Sequence, residues 1–279
     1  MRLSLEAPAK LNWFLYVTGK RPDGYHSLVS LFVPVSLFDT VSVESSDSLS
    51  RDGDLTGPAE KDLALRAAVL LKKASGASHC ARITVAKRIP VGAGLGGGSS
   101  DAAAALVLLN ELWGLGLSRG RLREIGLELG ADVPFFIDPR PSWVEGIGED
   151  IAPFDFAPQD VEIVYPEAFQ ATGAVFASPL LKITPRAPSR EDFARAQKAR
   201  RGFHAGENAL EEAARSVNPE IDRMLRAIPE LRLTGSGSAA FCPSGLWKNT
   251  YTAAVQREGW RHFSVKTLQC GLPIFRQPF

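Results

Sequence analysis

Cysteine is scarce: Cys80, Cys242 and Cys270 are the full complement of the 279 residues, and no two stand in CxxC spacing. This excludes a disulfide framework and a cysteine-based zinc site, and buried or inert thiols are expected. Net charge is nearly absent as well. Lys and Arg number 32 against 31 Asp and Glu, leaving +1, too little for a broad nucleic-acid or anionic-membrane surface. Any anion site must be local. The longest unbroken apolar run, Ala102–Leu109, is far short of the ~20 residues that cross a bilayer. The stretch Met1–Glu6 carries an acid where a signal peptide needs its apolar core, so a cytosolic chain with neither nucleic-acid nor membrane partners is expected. His79, His204 and His262 show no metal-ligand spacing, and no fixed-period repeat is present. What remains is 45% hydrophobic and 23% charged residues, the composition of a globular chain long enough for one large or two modest domains.

Between Ala9 and Val17 residues alternate, Leu11, Trp13, Leu15 and Val17 on one side, Lys10, Asn12, Phe14 and Tyr16 on the other. The pattern predicts a strand that points Lys10 and Asn12 the same way. Further strands are expected around Leu28–Val35, Thr40–Val43 and Arg82–Val85. Leu63, Ala67, Leu70, Leu71 and Ala74 recur at helical spacing before Gly76. A second helix is expected to be capped at Ser99-Ser100-Asp101 and to run to Gly114, and a third to run from Ser118 to Gly130. The Pro-, Gly- and aromatic-rich stretch from Pro139 to Pro158 reads as connection, with a domain boundary near residue 155. Beyond it come a strand at Val161–Tyr165, a loop near 185–202, helices near 207–216 and 219–228, and strands near Ala239–Cys242 and His262–Leu268. The class is α+β.

The strongest chemical signal is Pro90-Val91-Gly92-Ala93-Gly94-Leu95-Gly96-Gly97-Gly98-Ser99-Ser100-Asp101, between a short strand and a helix. Five glycines in seven residues let main-chain N–H groups approach an anion, and the helix start adds unpaired donors and a positive dipole end. Gly92-x-Gly94-x-x-Gly97 formally matches the dinucleotide fingerprint, but Glu111, at the distance of the ribose acid, falls inside the helix. A Walker A loop fails too, because Gly98 is followed by Ser99 rather than Lys. A second glycine motif, Leu233-Thr234-Gly235-Ser236-Gly237-Ser238-Ala239-Ala240-Phe241, precedes a strand and either closes over a ligand or makes an ordinary turn. Taken singly, Lys10 and Asp132 read as solvated charges. Only the fold can bring them together.

Three motifs in this order, Ala7–Asn12 (APAKLN), Pro90–Asp101 and Leu233–Phe241, resemble the GHMP kinase superfamily of small-molecule kinases. Arg21-Pro22-Asp23-Gly24-Tyr25-His26 and Gly130-Ala131-Asp132-Val133-Pro134-Phe135-Phe136 resemble the branch acting on a cytidine-diphosphate sugar alcohol, and the likeness spans essentially the whole chain. The resemblance implies a two-domain GHMP kinase fold: an N-terminal ATP-binding domain (1–155) like the second domain of ribosomal protein S5, and a ferredoxin-like C-terminal domain (156–279). It implies transfer of the ATP γ-phosphate to an alcohol, with Mg2+ accompanying ATP. By position it implies Lys10 and Asp132 as the catalytic pair, and Lys87 and Pro90–Ser100 at ATP, with Ser99 and Ser100 near phosphate or magnesium. Asn12, Tyr25, His26, Thr172 and Phe176 fall at the acceptor, Tyr25 and Phe176 sandwiching cytosine and His26 bonding its edge. Asp62 stands where the family usually has Asn on the adenine side. Glu167 replaces a common glycine, and Gly173 a common proline. Rivals are another small-alcohol kinase, a non-catalytic nucleotide-binding protein on the same scaffold, and an RNA-binding module, against which the +1 charge speaks.

Overall fold

The computed structural model describes all residues except 56, 200–202, 204, 205, 272, 278 and 279. His204 thus lies outside the described residues. The first half contains β1 (Arg2–Lys20), β2 (His26–Ser45), β3 (Ser50–Gly53), α1 (Leu63–Ser75), β4 (Ala81–Ala86) and α2 (Gly97–Leu112). It continues through α3 (Arg119–Leu127), α4 (Val133–Phe136), β5 (Ser142–Glu145) and β6 (Asp150–Pro153). The second half contains β7 (Asp160–Tyr165), α5 (Thr172–Phe176), α6 (Arg190–Lys198), α7 (Glu211–Val217) and α8 (Pro219–Ala227). It ends with β8 (Arg232–Leu233), β9 (Ala240–Pro243), α9 (Asn249–Glu258), β10 (Arg261–Lys266) and β11 (Phe275–Gln277).

β1 and β2 are long antiparallel partners at the centre of a sheet ordered β11-β1-β2-β4-β3, with the β5–β6 hairpin attached to β2. The expected strand at Ala9–Val17 is the middle of β1, but strict alternation fails there. A register shift between Asn12 and Leu15 turns Trp13 and Phe14 into the same core. The two strands expected at Leu28–Val35 and Thr40–Val43 are one, β2. Asp39 passes through the sheet fully buried, its carboxylate accepting N–H bonds from Arg88 (2.5 Å) and Ile89 (2.8 Å). The stretch read as connection holds β5 and β6, and the loop expected near 185–202 holds α6, opened by a Ser189–Asp192 capping box.

The second sheet runs β10-β7-β9-β8, all antiparallel. Numbered within this half the order is fourth, first, third, second, with helices after the first and third strands, which is ferredoxin-like β-α-β-β-α-β topology. Its strands alternate between two cores. Ile163, Phe241 and Val265 face Trp13 and Val33 of the first sheet, while Val164, Ala240 and Cys242 face Ala213, Met224 and Val255. The two halves of the chain are also stitched by main chain: Leu15 pairs with Asn208, Val17 with Ile183, and β11 returns to β1. Among the described residues no helix is long and apolar enough to cross a membrane.

Candidate active site

The glycine loop connects β4 to α2, and the stitching between sheets determines its path. Gly92, Gly94 and Gly96 all have positive φ (67°, 76° and 74°). Lys10 N donates to Leu95 O (2.9 Å) from one sheet, and Ala239 N donates to Ala93 O (3.0 Å) from the other. At Gly94 a Cβ would be driven into Thr234 O, so glycine is demanded by space as well as by φ. The second glycine motif is therefore docked on the first, and Asn12 N donates to Thr234 Oγ1 (2.9 Å) beside it.

The capping expected of Ser99-Ser100-Asp101 is not formed. α2 begins two residues earlier, its N-cap is Gly96, and no side chain closes its first turn. Gly97 and Gly98 wind into the helix where side chains are crowded out at Gly97, a Cβ meeting Ile89 Cγ2 at 3.0 Å. The consequence is chemical: first-turn N–H groups are left for an anion. Ser99 lines the cavity over this turn, whereas Ser100 is 1% exposed and its Oγ has no partner among the described residues.

Lys10 and Asp132 meet. Lys10, on β1 and 4% exposed, directs Nζ to within 3.4 Å of Asp132 Oδ2, at the start of α4. Its ammonium also donates to Asn12 Oδ1 (2.5 Å) and lies over the Phe32 ring, 4.6 Å from the centroid. Asn12 Nδ2 donates to Ser30 Oγ (2.9 Å), which donates to Phe14 O (2.6 Å), so the amide orientation is set by the strand pair. The shared face of Lys10 and Asn12 is as expected.

Lys87 lies between two carboxylates, ion-paired with Asp39 and 2.7 Å from Asp101 Oδ2. Burial opposes its charge, but the two carboxylates prevail and hold its pKa above the ordinary value. Burial, opposed by Lys87 and reinforced by Asp39, pushes the Asp101 carboxyl up to about 7. Arg51 Nε lies 3.1 Å from Asp62, whose other oxygen accepts from Ala64 N and Leu65 N and so caps α1. Asp39 and Arg51 were missed in the sequence. Each is a polar residue within a strand, Asp39 in β2 and Arg51 in β3, and only its distant partner reveals a role.

At the β1–β2 turn Tyr25 is 62% exposed, and the rings of His26 and Phe176 stack, centroids 5.2 Å apart and 25° between planes. Burial, with Lys20 nearby, lowers the His26 pKa, so its ring is neutral at pH 7. Thr172 Oγ1 and Ser236 Oγ share a hydrogen bond (2.8 Å). One cavity of about 930 Å³ joins every one of these positions, from Tyr25, His26 and Phe176 past Lys10, Asn12 and Asp132 to the glycine loop, Lys87 and Asp62. Of the expected site residues only Ser100 is absent from its wall.

Comparison with known proteins agrees with this geometry. The GHMP kinases N terminal domain matches residues 62–138. The 4-diphosphocytidyl-2-C-methyl-D-erythritol kinase of Paracidovorax citrulli is 44% identical over 85% of each chain. The enzyme of that name from Methylibium petroleiphilum is 42% identical over 90% of this chain and 88% of its own. The chain belongs to the 4-diphosphocytidyl-2-C-methyl-D-erythritol kinase family. A crystal structure of 4-(cytidine 5'-diphospho)-2C-methyl-D-erythritol kinase superposes with a TM-score of 0.76 at 32% identity, over 97% of this chain and 100% of that one. Homoserine kinase from Cytophaga hutchinsonii shares the fold, with a TM-score of 0.72 at 16% identity over 98% and 96% of the two chains. The architecture is thus the two-domain α+β GHMP kinase fold, and the chain is an ATP-dependent small-molecule kinase.

Proposed function

We propose that this chain transfers the γ-phosphoryl group of ATP to the C2 hydroxyl of 4-diphosphocytidyl-2-C-methyl-D-erythritol, a step of the non-mevalonate route to isoprenoid precursors. The observation that carries the reading is the 3.4 Å Lys10–Asp132 pair on the wall of a cavity that the glycine loop also lines. Asp132 orients the acceptor hydroxyl and takes its proton as the new O–P bond forms. The bond between the γ-phosphorus and the bridging oxygen breaks, and ADP leaves. Lys10, buried and fixed by Asn12, pairs with Asp132 and offsets charge on the transferring group. Pro90–Gly98 and the open first turn of α2 hold the polyphosphate, with Ser99 rather than Ser100 reaching it. Lys87 borders this loop, its Nζ 3.3 Å from a Cβ placed at Gly97.

The donors here suit a magnesium ion carried in on ATP. Ser99 lines the cavity, and among the described residues Asp101 Oδ1 lacks a partner and no cluster of three or more His, Cys, Asp or Glu is placed to hold a metal. Ser99 and Asp101 would hold it, and it would supply charge compensation at the phosphates. Tyr25 and Phe176 sandwich cytosine, His26 bonds its edge, and Thr172 and Asn12 hold the rest of the acceptor. On this reading the chain divides near residue 155 into an ATP-binding domain and a C-terminal domain, and works in the cytosol on small molecules.

Coupled detection of ADP with a panel of alcohols tests the proposal. Turnover is expected with the cytidine-diphosphate sugar alcohol and not with mevalonate or homoserine. Preference for either of those would replace the acceptor, and ATP binding without turnover of any alcohol would favour the non-catalytic reading.

A further inference from the structure

The cavity receives two polyanions, yet its walls carry almost no available positive charge. Its lysines and arginine are Lys10, Arg51, Lys61 and Lys87, and its carboxylates are Asp54, Asp62, Asp101 and Asp132. Asp39 stands behind Lys87 as a further negative charge. Three of the cations are already engaged: Lys10 with Asp132, Arg51 with Asp62, and Lys87 with Asp39 and Asp101. A cation in such a pair is partly neutralised before any ligand arrives, and drawing it away would leave a carboxylate in a desolvated site.

Lys61 is the exception. It ends a short 3-10 turn (Ala59–Lys61) immediately before Asp62, its side chain is exposed, and among the described residues it pairs with no carboxylate. Its place in the fold assigns it to one ligand. Leu63, two residues on, touches the glycine loop, its Cδ1 3.5 Å from a Cβ placed at Gly98. The Tyr25–His26–Phe176 group belongs instead to the far end of β2, where that strand leaves the β1 turn. We propose that Lys61 is a nucleotide-binding residue, the unpaired ammonium that meets the polyphosphate of ATP and does not contact the acceptor. This rests on the ATP reading above.

The test uses the full chain and its variants Lys61→Ala, Lys61→Glu and Lys61→Arg, with ATP affinity measured by calorimetry and KM measured for both substrates. An exposed charge facing phosphate is worth about fivefold in affinity. The ATP Kd and KM are therefore expected to rise about fivefold in Lys61→Ala, further in Lys61→Glu, and to recover in Lys61→Arg. The difference should shrink at about 0.5 M salt, where screening is short-ranged, while kcat and the acceptor KM stay at wild-type values. If the wild-type chain binds ATP and Lys61→Ala binds it equally well, or if only the acceptor KM rises, the proposal is overturned and the ATP reading stands. A wild-type chain that does not bind ATP would overturn both.

Discussion

The glycine loop makes a sharp prediction because two of its glycines, four residues apart, differ in what surrounds them. Gly94 has φ +76°, and an added methyl would be driven into Thr234 O and lie 3.1 Å from the N and O of Gly237, all of it main chain that cannot rotate aside. A left-handed conformation costs an L-residue about 1–2 kcal/mol, and overpacking against a fixed neighbour about 1–3 kcal/mol. Gly94→Ala is therefore expected to lose about 3 kcal/mol, or to push the 234–237 loop off the phosphate loop. Gly98 has no positive φ, and its Cβ would meet only Leu63 Cδ1, at 3.5 Å. Gly98→Ala adds a better helix former inside α2 and should be neutral or stabilising by up to about 1 kcal/mol. Urea denaturation with both variants, followed by ATP titration of the folded protein, measures both quantities. For a chain of this size the Gly94→Ala loss corresponds to a melting-temperature drop of about 6–10 °C. If Gly94→Ala melts with wild-type protein and binds ATP normally, the docking of one glycine motif on the other is not what shapes this loop.

Other consequences concern the acceptor end. Tyr25→Ala should raise the acceptor KM at least tenfold with little change in that for ATP, because on the proposed reading its exposed ring at the β1–β2 turn stacks on the acceptor alone; equal effects on the two would remove Tyr25 from recognition. The lowered pKa of His26 means that its neutral ring predominates at pH 7 and gains a proton only on acidification. Neutral His26 accepts a hydrogen bond and its protonated form cannot, so the acceptor KM should be flat above pH 7 and climb as pH falls below the ordinary histidine value. In His26→Gln that acid limb should vanish. A limb that persists there belongs to another group.

Much of this was legible in the sequence, and the failures have identifiable causes. The strand at Ala9–Val17, though not its strict alternation, the apolar spacing of α1 and the glycine run were readable because each is a local pattern tied to one backbone geometry. The single long β2 was not. Pro34, Ser36 and Asp39 look like punctuation, but Pro34 pairs with Lys10 in the ladder and Asp39 is satisfied by main-chain donors from the strap after β4. α6 buries only Phe193 and carries no apolar stripe, so periodicity missed it, although the Ser189–Asp192 box was a usable signal. The helix start at Gly97 ran against the usual preference for Ser at the cap, because Gly97 and Gly98 wind into the first turn and Gly96 takes the cap position. The pairs Lys10–Asp132, Lys87–Asp39 and Arg51–Asp62 join residues far apart in the chain or in unrelated elements, and residue type alone does not reveal them.

The central claim is that Asp132 acts on the acceptor hydroxyl while the glycine loop holds ATP. Single-turnover phosphoryl transfer by Asp132→Asn, with both substrates saturating, tests it most directly. The transfer rate is expected to fall about 10²-fold or more while the affinity for ATP is unchanged. A transfer rate within a few-fold of wild type would contradict it.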